Sequence, residues 1–123
     1  MCIRDRPREQ IPGYISAADI CLVMLKRTEL FKTVIPTKLL EYMACERPVI
    51  VAVDGQARHI VEEARAGVFV EPEDCPALAK AICDLAGNQE RRQQMGACGR
   101  QYIVARLSRE QTARTYIAVL ERL

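Results

Sequence analysis

The residues best placed to do chemistry lie in one stretch, Leu30-Phe31-Lys32-Thr33-Val34-Ile35-Pro36-Thr37-Lys38-Leu39-Leu40-Glu41-Tyr42-Met43-Ala44. At roughly 100° per residue, Thr37, Lys38, Glu41 and Cys45 fall on one arc of a helix, while Leu39, Leu40, Met43 and Ala44 fall on the arc expected to face a core. Pro36 opens that helix at a favoured early position. The polar arc therefore sits at a helix start, where unpaired backbone N–H groups and the helix dipole favour a phosphate. The Thr37 hydroxyl and the Lys38 ammonium add donors, and the Glu41 carboxylate one turn in can accept from two neighbouring ribose hydroxyls. A lysine and a glutamate on one arc also describe a plain solvated face, and spacing alone leaves both readings open.

Other reactive side chains form no comparable group. The cysteines are Cys2, Cys21, Cys45, Cys75, Cys83 and Cys98, with no Cys-x-x-Cys pair, and the sole histidine, His59, has no ligand at metal spacing. Most of these cysteines fall on apolar faces, which reads as reduced thiols acting as small hydrophobes. Neither a disulfide framework, a structural metal nor a cofactor is expected.

The elements that must hold the arc follow from apolar runs. Ile20 to Leu25, Val49 to Val53 and Val68 to Val70 are nearly continuous, as parallel strands covered on both faces are. Between them, Pro36 to Cys45 is helical and stops before Arg47-Pro48, and Gln56 to Arg65 is helical with Gly67 as its terminator. The order implies a parallel sheet with right-handed crossovers, so the polar arc follows the C-terminal end of a strand, where such sheets bind ligands. Beyond Pro72 the chain is all helix: Pro76 to Ala86 with Leu78, Ala79, Ile82, Cys83 and Leu85 inward, then from the Asn88 cap to about Ala105 with Met95, Cys98 and Tyr102 inward. Ser108 and Gln111 make a capping box for a last helix, whose stripe is Ala113, Tyr116, Ile117, Leu120 and Leu123. That stripe needs cover, either from a domain outside this chain or from the helices around Met95 and Tyr102. The fold class is thus α/β, a partial Rossmann-like parallel sheet with a C-terminal helical tail.

The 123 residues suffice for one core. The 18 basic and 16 acidic side chains are spread along the chain, there is no tryptophan, and neither a basic stripe nor a stacking platform for nucleic acid is visible. No apolar stretch approaches the roughly 20 residues of a membrane span, and the charged start is not a signal peptide. The opening Met1-Cys2-Ile3-Arg4-Asp5-Arg6 resembles a translated sequencing-adaptor stretch, so residues 1–6 are expected not to be native and the chain to begin partway through a longer protein. A sheet of three strands, against the usual five or six or so, agrees.

The run Pro36-Thr37-Lys38-Leu39-Leu40-Glu41-Tyr42-Met43-Ala44, followed by Arg47-Pro48-Val49-Ile50, resembles the signature of family-4 retaining glycosyltransferases. Ser16-Ala17-Ala18-Asp19, Asp54-Gly55 and Ala66-Gly67-Val68-Phe69-Val70 extend the resemblance over nearly all of the chain after Ile11. The similarity is greatest to bacterial O-antigen and capsule transferases of L-fucosamine-type sugars, whose stretch similarly reads Leu-Phe-Lys-Thr-Val-Ile-Pro-Ser-Lys. It implies the C-terminal, donor-binding half of a GT-B fold spanning 1–123, without the N-terminal acceptor domain. The implied donor is a nucleotide sugar, UDP-linked, and the implied acceptor a saccharide or lipid-linked glycan. The implied setting is the cytoplasm, peripheral to the inner membrane face.

By the same resemblance, Thr33, Pro36, Thr37, Lys38 and Glu41 form the donor site, with Glu41 on the ribose; the catalytic residue is not identified. The family's first glutamate, which contacts the donor sugar, is replaced by Thr33, implying altered donor recognition. The family's diphosphate Arg and Lys would lie upstream of this chain. Where the family's glycine-rich stretch continues to a glutamate, His59 stands instead. Two alternatives remain: another sugar-nucleotide enzyme on the same fold, such as a hexosamine 2-epimerase, or a non-catalytic helical interaction module. A dinucleotide oxidoreductase is disfavoured, since no Gly-x-Gly-x-x-Gly follows any strand.

Overall fold

In the computed structural model, which describes residues 5–123, the three apolar runs form one parallel sheet in the order β1 (Cys21–Met24), β2 (Val49–Ala52), β3 (Gly67–Phe69). The register pairs Cys21 with Val49 and Val49 with Gly67, so the strands start level and all end at one rim. The expectation for residues 1–6 falls, for residues 1–4, outside the described residues.

β2 is buried along its whole length, because both faces of the sheet are covered. On one face, Val23, Val49 and Val51 pack with Leu39 and Met43 of α2 (Thr37–Ala44) and with Ala57, Ile60, Val61 and Ala64 of α3 (Gln56–Ala64). Ile50 points the other way, to Leu85 of α4 (Cys75–Ala86), as alternation along a strand requires. Before these, a 3-10 turn, Arg8–Gln10, precedes α1 (Ile11–Ala17), which leads into β1, and a second 3-10 turn, Leu30–Thr33, interrupts the passage from β1 to α2.

The local causes are legible. Pro36 is the N-cap of α2, with no side chain capping it. The Asp74 side chain accepts the Ala77 N–H at the start of α4, and Asn88 accepts the Arg91 N–H at the start of α5 (Gln89–Tyr102). Arg65, left-handed at φ 54°, ends α3, and Gly67, expected to end it, instead opens β3.

Several expectations are corrected. In α4, Ala79 and Cys83 face solvent and Ala77 and Ala81 take their place, because the helix lays the Leu78–Ala81–Leu85 line on the sheet. Cys75 is exposed as well, so these two thiols are not core residues. In α2, Leu39 and Met43 are fully buried but Leu40 and Ala44 only half so, since the buried stripe is narrower than expected. The inner face of α5 is made by Gly96 and Gly99, both buried, with Met95, Cys98 and Tyr102 at its margins. A Cβ on Gly96 would lie 2.1 Å from the Glu46 carbonyl oxygen, and one on Gly99 3.0 Å from the Ala66 Cβ. Side chains there would hold α5 off the α2–β2 connection.

A π-helical segment, Ile103–Leu107, follows α5 and leads to α6 (Arg109–Leu120). Ser108 accepts the Gln111 N–H, which is one half of the expected capping box. No residue of α6 is buried, and Tyr116, Ile117 and Leu120 are each at least half exposed. The stripe does not fold back onto Met95. Among the described residues no helix is long and apolar enough to cross a membrane.

Candidate functional site at the strand ends

All three strands deliver their following loops to one rim: Lys26 to Val34 after β1, Asp54-Gly55 after β2, and Glu71-Pro72 after β3. Ion pairs tie the rim together. Arg27 bridges to Glu71 at 2.9 Å, linking the first loop to the third. Lys32 pairs with Glu29 at 2.8 Å, and this bond pushes the Lys32 ammonium pKa up. The Gly55 N–H donated to Asp54, with Arg58 beside it, holds the Asp54 carboxyl below the usual carboxylate range.

The 3-10 turn is fastened from within. The Thr28 hydroxyl accepts the Phe31 N–H, the Thr33 hydroxyl donates to the Leu30 carbonyl at 2.9 Å, and Phe31 packs against the buried core. Thr33 itself is exposed. Three residues on, Pro36 starts α2, and the uncapped first turn leaves N–H groups facing outward.

Thr37, Lys38 and Glu41 are all exposed on α2, as the arc predicts, with the fully buried Leu39 and Met43 behind them. Lys38 and Glu41 make no ion pair among the described residues, unlike Lys32 and Arg27. Glu41 lines a groove of about 320 Å³ between α1 and α2, whose other wall is Arg8, Ile11, Pro12 and Ile15. Of the five predicted residues, Thr37, Lys38 and Glu41 thus share one helix face, Pro36 is half-buried at its head, and Thr33 stands apart on the preceding turn.

The α1 wall was not legible in the sequence, since nothing local marks Ile11 and Ile15 as neighbours of Glu41. His59 is exposed on α3, 3.8 Å from Glu63, in a surface cluster with Tyr102 and Arg106. A larger groove of about 530 Å³ lies between β3 and α4, lined by Phe69, Asp74, Lys80 and Arg91 among others. It contains none of the predicted site residues, and its charges are of both signs.

The family described as glycosyl transferases group 1 matches residues 3–88. No curated protein matches the chain. Among solved structures, sucrose-phosphate synthase from Thermosynechococcus elongatus is similar, with a TM-score of 0.71 and 27% identity over 89% of this chain. The chain spans only 27% of that structure's length. The α/β architecture with its three parallel strands is that of a piece of a GT-B glycosyltransferase.

Proposed function

The chain belongs to the glycosyl transferases of group 1, and we propose that its part in sugar transfer is to bind the nucleotide-sugar donor at the head of α2. The observation that carries the reading is Glu41: an exposed carboxylate with no protein partner among the described residues, one turn inside an uncapped helix start. Such a start supplies N–H donors for a phosphate, and the carboxylate supplies acceptors for adjacent ribose hydroxyls. Lys38 and Thr37 add donors from the same arc, Pro36 fixes the chain's entry, and Thr33, on the turn before α2, is assigned to the sugar end of the donor because it takes the position of the family's sugar-contacting glutamate.

The donor we infer is UDP-linked, with a sugar of the L-fucosamine type, and the acceptor is a saccharide or lipid-linked glycan of O-antigen or capsule assembly. The reaction takes place in the cytoplasm at the inner membrane face. The similarity of the Leu30–Lys38 stretch to transferases of that branch supports this, as does the replacement of the usual acidic residue by Thr33. This chain would be the donor-binding half, with the acceptor domain and the diphosphate Arg and Lys supplied by another part of the protein.

Calorimetric titration of the chain with UDP, GDP and ADP tests the reading. UDP is expected to bind more tightly than the other two, with further change in affinity when a sugar is attached. Absence of binding for all three would overturn it.

A further inference from the structure

The loop after β2 does more for the rim than connect two elements. Gly55 caps α3 at φ 85° and ψ −131°, a conformation that side chains of L residues rarely adopt. The space where a Cβ would stand is already filled by main chain. An ideal Cβ on Gly55 would lie 2.2 Å from the Lys32 carbonyl oxygen and 2.7 Å from the Lys32 Cα. Both are backbone atoms of the 3-10 turn Leu30–Thr33, so neither can rotate away.

The turn has few other ways to hold its height above the sheet. Phe31 anchors it from beneath, and its hydrogen bonds run within the turn or to Thr28 and Glu29 just before it. The Gly55 seat is in turn fixed by Asp54, whose carboxylate accepts the Gly55 N–H and faces Arg58 at 3.4 Å. Thr33 is the next residue after the Lys32 carbonyl, and it sits three residues before the head of α2.

We propose that Gly55 is a positioning residue for the sugar end of the donor: its bare Cα seats the Leu30–Thr33 turn, and that seat sets where Thr33 stands relative to Glu41. This rests on the reading of Thr33 and Glu41 given above. Gly55 touches no ligand in this scheme and acts only through the turn. The nucleotide end is held by α2, whose core contacts at Leu39 and Met43 do not involve Gly55. The two ends of the donor therefore depend on Gly55 unequally.

The test is a double-mutant cycle in the 123-residue chain, titrating UDP and UDP-N-acetyl-L-fucosamine and comparing their affinities. Gly55→Ala is expected to leave UDP affinity within about twofold while lowering the sugar-nucleotide to UDP ratio about fivefold, the loss of one neutral hydrogen bond. Thr33→Val is expected to lower the ratio similarly, and the double variant no further, because both changes remove one interaction. Gly13→Ala, at a glycine with open space around it, is the control and is expected to change neither affinity. A folded Gly55→Ala variant with an unchanged ratio, or losses that add fully in the double variant, would overturn the proposal. Should Gly55→Ala not fold, Asp54→Ala releases the seat without adding an atom at the contact, and the same cycle decides with the same outcomes. If the unsubstituted chain binds no UDP, or Thr33→Val leaves the ratio unchanged, the donor-site reading fails and the inference falls with it. An additive or silent Gly55→Ala beside an active Thr33→Val refutes the positioning role alone.

Discussion

Glu41→Gln separates a ligand-binding carboxylate from a surface one, because the structure assigns the two roles different consequences. The Glu41 side chain is exposed and makes no hydrogen bond or ion pair among the described residues, so its replacement removes nothing from the fold. Surface substitutions of this kind change stability by within about 0.5 kcal/mol. Binding is a different matter. The amide keeps one acceptor oxygen but turns the other into a donor, so the bonds to a ribose diol lose their charge and one of them must reverse its direction. A charged hydrogen bond contributes about 1.5–3 kcal/mol, equivalent to about a ten- to hundredfold loss of affinity. Calorimetry with UDP and a thermal melt of the same samples measure both quantities. Glu46→Gln is the matched control: Glu46 is exposed just beyond the same helix, 3.5 Å from Arg100, and is expected to leave UDP affinity unchanged. Equal UDP affinity in the native chain and Glu41→Gln would refute the argument, as would an equal loss in Glu46→Gln.

Leu39→Ala, at a fully buried position behind the polar arc, is expected to cost about 2–5 kcal/mol in urea unfolding, and a cost below about 1 kcal/mol would show that α2 is not anchored there. The Tyr102 hydroxyl, with Arg106 beside it, holds Glu63 below the usual carboxylate range, so its stabilisation is complete above the ordinary value of 4.5 and is lost as pH falls through the lower folded value. Glu63→Gln should therefore flatten the acid limb of a stability-against-pH profile; an unchanged limb would count against the cluster. The phenol of Tyr102 is pushed up by the same bond, so its stabilisation is present below its ordinary value of 10.0 and is lost as pH rises through the raised one. Amide exchange over Thr112 to Leu120 should be fast compared with Val49 to Ala52, and equal protection in a monomer would show that α6 has cover within this chain.

The strands were readable because a parallel strand covered on both faces leaves a run of apolar residues, as in Val49 to Val53. The polar arc was readable for a related reason: Thr37, Lys38 and Glu41 repeat at helical spacing, and the structure finds all three exposed on one face. What escaped depends on contacts distant in sequence. The helix α1 begins with Ile11-Pro12-Gly13, a weak helix pattern, and exists as a short element beside α2. Thr33 precedes the helix, so periodicity says nothing about its place, which the fold of the 3-10 turn and its seat on Gly55 determine. Gly96 and Gly99 carry no side chain that could join an apolar stripe, and only the approach of Glu46 and Ala66 explains them.

Those two glycines bear on the order in which the chain acquires its structure. Each lowers the intrinsic helicity of α5 by about 1 kcal/mol relative to alanine, within a segment otherwise made mostly of polar and charged residues. Nucleating a helix is costly even for good formers, so the Gln89–Tyr102 stretch has little reason to be helical before it docks. Its landing place is the turn through Glu46, itself left-handed at φ 58°, together with Ala66 and Met43. These belong to connections and helices around β2, so the sheet with α2 and α3 must exist before α5 has anything to close upon. Folding mutations in α5 should accordingly speed unfolding rather than slow folding. As the chain is synthesised from its N-terminus, this platform emerges before the segment from Gln89 onward, which then closes on it as a latch.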